Sequence, residues 1–199
     1  MPLVKSGRIV EDQYVRIADD APVPDGVAVI VSGARFLADA DALTQRVEAV
    51  GVLWPNNRPI AELAPYLNRI ALVALAFPIF RDGRAYSQAR ILRERYGFMG
   101  ELRATGQVLR DQFLFLLRAG FDSFEVSKEA DATAFVDSIR RFDVFYQPTG
   151  DGRATAFRRR LGRNPLPAAG EREPTEFAAR AQSTARALTP CDTGARTGS

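Results

Sequence analysis

The chain has 199 residues, 46% of them hydrophobic and 26% charged, with a formal net charge of +3, a composition that suits a globular protein built around one main core. It contains no histidine and a single cysteine, Cys191. That excludes the usual neutral-pH base, the usual zinc ligand, Ser-His and Cys-His nucleophile pairs, and any disulfide, CxxC pair or cysteine-ligated cluster made within one chain.

No apolar run reaches the roughly 18 residues of a membrane span. The opening MPLVKSGRIVED has no apolar segment behind its lysine and arginine, so a cytoplasmic protein without a secretory signal is expected. Much of the positive excess sits in arginines near the carboxyl end, so the charge does not call for nucleic acid as a partner.

Arg8 to Ala18 reads as two short β segments around Glu11 and Asp12, a hairpin or edge strand, and the proline- and aspartate-rich stretch Asp19 to Gly26 reads as a connector. The β-branched run Val27 to Val31 has the pattern of a strand buried on both faces. A helix pattern follows at Ala34 to Arg46, then an apolar strand at Val47 to Leu53, a turn at Trp54 to Asn57, a short helix at Pro59 to Asn68 and a third strand at Ile70 to Phe77. Helices over Arg84 to Tyr96 and Gln107 to Ala119 flank a fourth strand at Glu101 to Thr105. The fifth strand is Ser123 to Ser127, and a last helix, Ala132 to Arg141, leads to a sixth candidate at Val144 to Gln147.

Strands joined by single helices predict right-handed βαβ crossovers and an α/β fold with a mostly parallel sheet of five or six strands, covered on both sides. A full eight-unit barrel needs about 250 residues, so an open doubly wound sheet is preferred, with an incomplete TIM-like barrel as the alternative. Residues 149–199 list Gly, Pro, Thr, Ala and Arg with few large apolar side chains and are expected to be unordered. The expected organisation is an amino-terminal hairpin and connector over 1–26, a core domain over 27–148 and a tail over 149–199.

Parallel sheets bind ligands outside the carboxyl ends of their strands. Asp82, Arg84 and Ser87 follow the third strand, and Arg103 and Thr105 belong to the fourth, a grouping of cations and hydroxyls suited to a phosphate, sulfate or sulfite oxyanion. These five form the candidate ligand site, with Arg84 and Arg103 facing the anion. Arg110, Asp111, Ser127 and Lys128 border the same loops.

Structural roles compete for several of these residues. Asp82 suits a helix cap, Arg90 and Glu94 an i,i+4 ion pair, and Gly97 and Gly100 a helix end and a turn. Glu101 and Arg103, two apart on a buried strand, need partners and suit an internal ion pair. Gln112 suits a hydrogen bond to a neighbouring loop. Phe113 to Leu117 is apolar all round, which fits a core helix or, alternatively, a helix docked against a second copy in a homodimer. No GxGxxG motif, metal site or catalytic residue is evident.

The stretch Phe77 to Phe124 carries FPIFRDGRAYSQARILRERYG followed by GELRATGQVLRDQFLFLLRAGFDSF. With Asp82, Gly83, Arg84, Arg93, Gly97, Glu101, Arg103, Asp111, Gln112, Gly120 and Asp122 in one register, it resembles an uncharacterised bacterial family. That family's members usually lie beside sulfite reductase and phosphoadenosine-phosphosulfate reductase genes and are described as oxidoreductases of sulfite reduction. The resemblance implies an accessory protein of assimilatory sulfate and sulfite reduction, in cysteine biosynthesis, with an oxyanion or sulfite reductase as partner. It leaves two alternatives: an oxidoreductase with a bound flavin or nicotinamide, or a non-redox anion-binding enzyme with Asp82 or Glu101 as acid or base.

Overall fold

A computed structural model describes residues 2–6, 8–128, 130–134, 145, 146, 149 and 155–161. The chain divides into two compact units, Met1–Ala168 and Ala169–Ser199, and every described residue lies in the first. Eight strands form one sheet: β1 Leu3–Lys5, β2 Arg8–Val10, β3 Tyr14–Arg16, β4 Ala28–Ser32, β5 Val50–Trp54, β6 Leu72–Phe77, β7 Glu101–Gly106 and β8 Ser123–Glu125, ordered β2-β1-β8-β7-β6-β5-β4-β3. Strands β3 to β8 run parallel, each beside its neighbour in sequence, and β1 is antiparallel to both β8 and β2.

The strand order corrects the doubly wound expectation. A doubly wound sheet reverses its strand order and so places helices on both faces, whereas six parallel strands in sequential order, joined by right-handed crossovers, keep their helices on one face. The sheet must then curl. Strands β2 and β3 occupy opposite edges, about 34 Å apart in a flat sheet of this width, yet only Glu11 to Gln13 separate them, and four extended Cα steps span about 14 Å. The result is a curled half-barrel, mostly parallel, which matches the incomplete-barrel alternative with more strands than expected.

The edge also corrects the hairpin. The segments on either side of Glu11 and Asp12 are both edge strands and do not pair with each other; the hairpin lies one strand earlier, where Leu3 opposes Val10 and Lys5 opposes Arg8.

Helices α1 Gly33–Ala38, α2 Ala40–Thr44, α3 Arg84–Arg90 and α4 Phe113–Ala119 are shorter than their sequence patterns. Asp39 separates α1 from α2, Ile60–Tyr66 is a 3₁₀ segment with Pro65 inside it, and α3 continues as a π turn over Ile91–Arg95. Outer-face strand residues Val29, Val52, Val73, Leu75, Leu102 and Phe124 pack with Phe36, Leu63, Ala89, Leu92, Phe113 and Leu116 from these elements in one core. Four side chains of α4, including Leu114 and Leu116, are buried, and Phe115 is exposed, so core burial accounts for most of this apolar helix.

Two later expectations fall partly outside the described residues: the helix over Ala132 to Arg141, of which residues 130–134 are described and helical, and the strand over Val144 to Gln147. Within the stretch expected to be unordered, Thr155 is buried and bridges Phe145, and Ala156–Arg160 is helical. No helix among the described residues is long and apolar enough to cross a membrane.

Candidate functional site

The inner face of the half-barrel has two unlike halves. Ile30 and Leu53 with Leu72 and Ala74 make an apolar wall on β4 to β6, backed by Tyr14. The opposing wall, on β1, β7 and β8, carries Lys5, Glu101, Arg103, Thr105, Ser123 and Glu125. Charges on that wall are reached from the far edge of the sheet, which only a curled sheet permits.

Arg103 is 1% exposed. It donates to Glu101 through Nε at 3.1 Å and Nη2 at 3.0 Å, and to Asp12 through Nη1 at 2.7 Å, with Glu125 3.6 Å away and the Tyr14 ring beneath it. Lys5 Nζ donates to Glu101 at 2.8 Å, Ser123 Oγ donates to Glu101 at 2.6 Å, and Thr105 Oγ1 donates to Glu125 at 2.6 Å. Arg16 Nη2 donates to Glu125 and lies 3.3 Å from Thr105 Oγ1.

Lys5, Arg16 and Arg103 thus meet Asp12, Glu101 and Glu125, a neutral set in which each buried charge has a partner, as burial demands. Burial pushes the Glu101 carboxyl up, but the Lys5 and Ser123 hydrogen bonds and the Arg103 charge outweigh it, and the net shift is downward. Burial, then the Glu101 charge, pushes the Tyr14 hydroxyl up to about 12.

Arg16 lies at the carboxyl end of β3, where the set opens to solvent. Its side chain is 45% exposed, and its Nε and Nη1 have no hydrogen-bond partner among the described residues. It lines a cleft of about 360 Å³ with Ile17, Asp19, Ile30, Ser32 and Leu53. Ser32 Oγ accepts from Arg35 N at 3.1 Å, which leaves the Ser32 hydroxyl proton for a ligand. A second cleft, about 640 Å³, opens between the loops after β7 and β8 and is lined by Leu109, Arg110, Asp111, Ser127, Lys128 and Asp131.

The five residues singled out in the sequence separate into two groups. Arg103 and Thr105 face inward and join the charge set. Asp82 and Arg84 form a local pair just before and at the start of α3: Arg84 N donates to Asp82 Oδ1 at 3.2 Å and Arg84 Nε at 2.9 Å, so Asp82 holds the first helical residue without being the helix cap expected of it. The N-cap position itself is Gly83, with no side-chain cap bond. The Arg84 hydrogen bond holds the Asp82 carboxyl well below the usual carboxylate range. Ser87 is exposed one turn further on. Among the described residues no hydrogen bond or ion pair links these three to Arg103 or Thr105.

The loops after β6 and β7 do converge, through two glutamines. Gln112 Nε2 donates to Phe80 O at 3.0 Å, its Oε1 accepts from Leu109 N at 3.0 Å, and Gln107 Oε1 accepts from Phe80 N at 3.3 Å. Gln112 therefore has the structural role expected of it.

Sequence reasoning missed Arg16, Glu125, Asp12 and Lys5. The available signal was Glu101 and Arg103, whose burial required unnamed charges elsewhere. Both carboxylates weighed as acid or base, Asp82 and Glu101, have lowered pKa values and sit on cations, which leaves them ionised and poorly matched to proton transfer near neutrality.

Fold and mouth together define a curled, mostly parallel α/β half-barrel with ligand-sized clefts at the carboxyl ends of its strands. Residues 51–157 match the family model of bacterial protein of unknown function DUF934. The chain belongs to that family. No curated protein matches it.

Proposed function

We propose that this protein is an accessory protein of sulfite reduction that holds a small oxyanion at the carboxyl-end mouth of the half-barrel. The pathway is supported by the family resemblance carried from Phe77 to Phe124. The ligand is supported by one observation above all: Arg16 is fixed through one nitrogen by Glu125 and Thr105 while Nε and Nη1 have no hydrogen-bond partner among the described residues beside the Ser32 cleft. An anchored guanidinium loses little freedom on binding an oxyanion, which favours recognition. Arg103 is not the contact, because an anion could reach it only by displacing Glu101 or Asp12.

The test is thermal unfolding of wild type and Arg16→Gln with sulfite, sulfate and phosphate, alongside growth on sulfate of a deletion strain carrying each. At a hundred times its dissociation constant a bound anion adds about 2.7 kcal/mol, a rise of several degrees in the wild-type midpoint that the variant should lack. Equal shifts in both proteins, or no shift with any of the three anions, overturn the proposal. Arg84→Ala should shift as wild type does.

A further inference from the structure

The loops after β6 and β7 expose three large apolar side chains, Ile79 at 53%, Phe80 at 44% and Leu109 at 42%. Their backbone is not loose. Gln112 bonds Phe80 O and Leu109 N with its two ends, and Gln107 holds Phe80 N, so the apolar side chains stand on a fixed platform. The Arg81 guanidinium lies 5.3 Å over the Phe80 ring, and Arg110 and Lys128 border the adjoining cleft. None of these three cations has a carboxylate within ion-pair distance among the described residues.

We infer that this platform is the docking surface for an acidic protein, one that places an apolar contact over Phe80 and Leu109 and carboxylates against Arg81, Arg110 and Lys128. Exposed aromatic and arginine side chains that are already ordered are the groups that carry binding energy at protein interfaces. A second copy of this chain suits the surface poorly, since it would bring only Asp111 and Asp131 against three cations while adding three of its own, which leaves a two-fold contact with excess positive charge. Nucleic acid suits it less well, because the surface centres on the apolar side chains of Ile79, Phe80 and Leu109 rather than on a continuous basic stripe, while Asp111 and Asp131 in the cleft confine the partner's carboxylates to positions against Arg81, Arg110 and Lys128. The inference does not depend on the oxyanion at Arg16, which lies on β3 in a different cleft.

The experiment places a photo-crosslinking phenylalanine analogue at Leu109 of the full chain in its own host, with the same analogue at Val47, 83% exposed, as control. Crosslinked peptides are then identified. The expected result is a crosslink from position 109 alone to a carboxylate-rich segment of another protein. Arg81→Glu with Arg110→Glu should reduce its yield at least tenfold while the unfolding midpoint stays put. A crosslink to a second copy or to nucleic acid, a yield indifferent to charge reversal, or no product at all overturns the inference.

Discussion

Arginines at the two ends of the strands show how one residue type serves opposite ends of a parallel sheet. At the amino end, Arg93 donates to Gly120 O at 3.0 Å, Gly100 O at 2.9 Å, Phe98 O and the Asp122 carboxylate, which also accepts from Leu102 N at 2.8 Å. The π turn over Ile91–Arg95 points this side chain at the loops that enter β7 and β8. Gly120, at φ +103, brings its backbone so close that a Cβ would lie 2.6 Å from Arg93 Cγ. At the carboxyl end, Arg16 keeps donors in reserve and Arg81 and Arg110 have no carboxylate partner among the described residues. The first arginine is consumed by the fold, while the others remain available to a ligand or partner.

Substitution should sharpen this contrast, and its largest effects belong to the arginines that are consumed. Arg103→Ala strands Glu101, Asp12 and Glu125 with too little positive charge and should cost about 4 kcal/mol, the range for breaking a buried pair. Arg93→Ala removes a donor from the Phe98, Gly100 and Gly120 carbonyls and the ion-pair partner of Asp122, which is half-exposed and keeps Leu102 N, and should cost about 2 kcal/mol. Chemical denaturation measures both. A loss under 1 kcal/mol in Arg103→Ala would show that the inner charges are solvated and that the interior is open to ligands after all.

The next effect is on acid stability. Glu101 titrates below its unfolded value of about 4.3, so the stability it contributes is complete above that value and is lost as pH falls through the lower folded value. Unfolding midpoints measured from pH 5 down to pH 3 should fall for wild type and fall less steeply for Glu101→Gln. Parallel profiles would mean that other carboxylates carry the acid limb.

These interior partners mark where the sequence stops being legible. The apolar runs of β4, β5 and β6 announce themselves because each is long enough to show a pattern. So do contacts made within a few residues, such as Arg90 with Glu94 at 3.2 Å and Asp82 with Arg84. Strand β1 has three residues, too few for any periodicity, and it went unseen. Curl and strand order come from pairing between distant segments, and the charges that complete the inner set lie 91 to 109 residues along the chain from their partners. Local reading therefore found that Glu101 and Arg103 needed partners without finding Asp12 or Lys5. It grouped Asp82 and Arg84 with Arg103 because all follow strand ends, although Arg103 points into the half-barrel and the other two serve the start of α3.

The smallest expected effect tests the mouth. Arg81→Ala combined with Arg110→Ala removes two exposed guanidiniums that neither stack in the core nor pair with a carboxylate among the described residues. Their loss should leave stability within about 0.5 kcal/mol of wild type. Removing Arg110, which shares a cleft with Lys128, relieves a little repulsion, so a slight gain is also consistent with free cations. A loss of 2 kcal/mol or more would require that these side chains pack or pair within the protein, and the contrast with Arg93 would disappear. The measurement thus bears on the docking inference from the stability side: only arginines the fold can spare are available to hold an acidic partner, and a residue indispensable at both tasks would leave the loss of crosslinking on charge reversal without meaning.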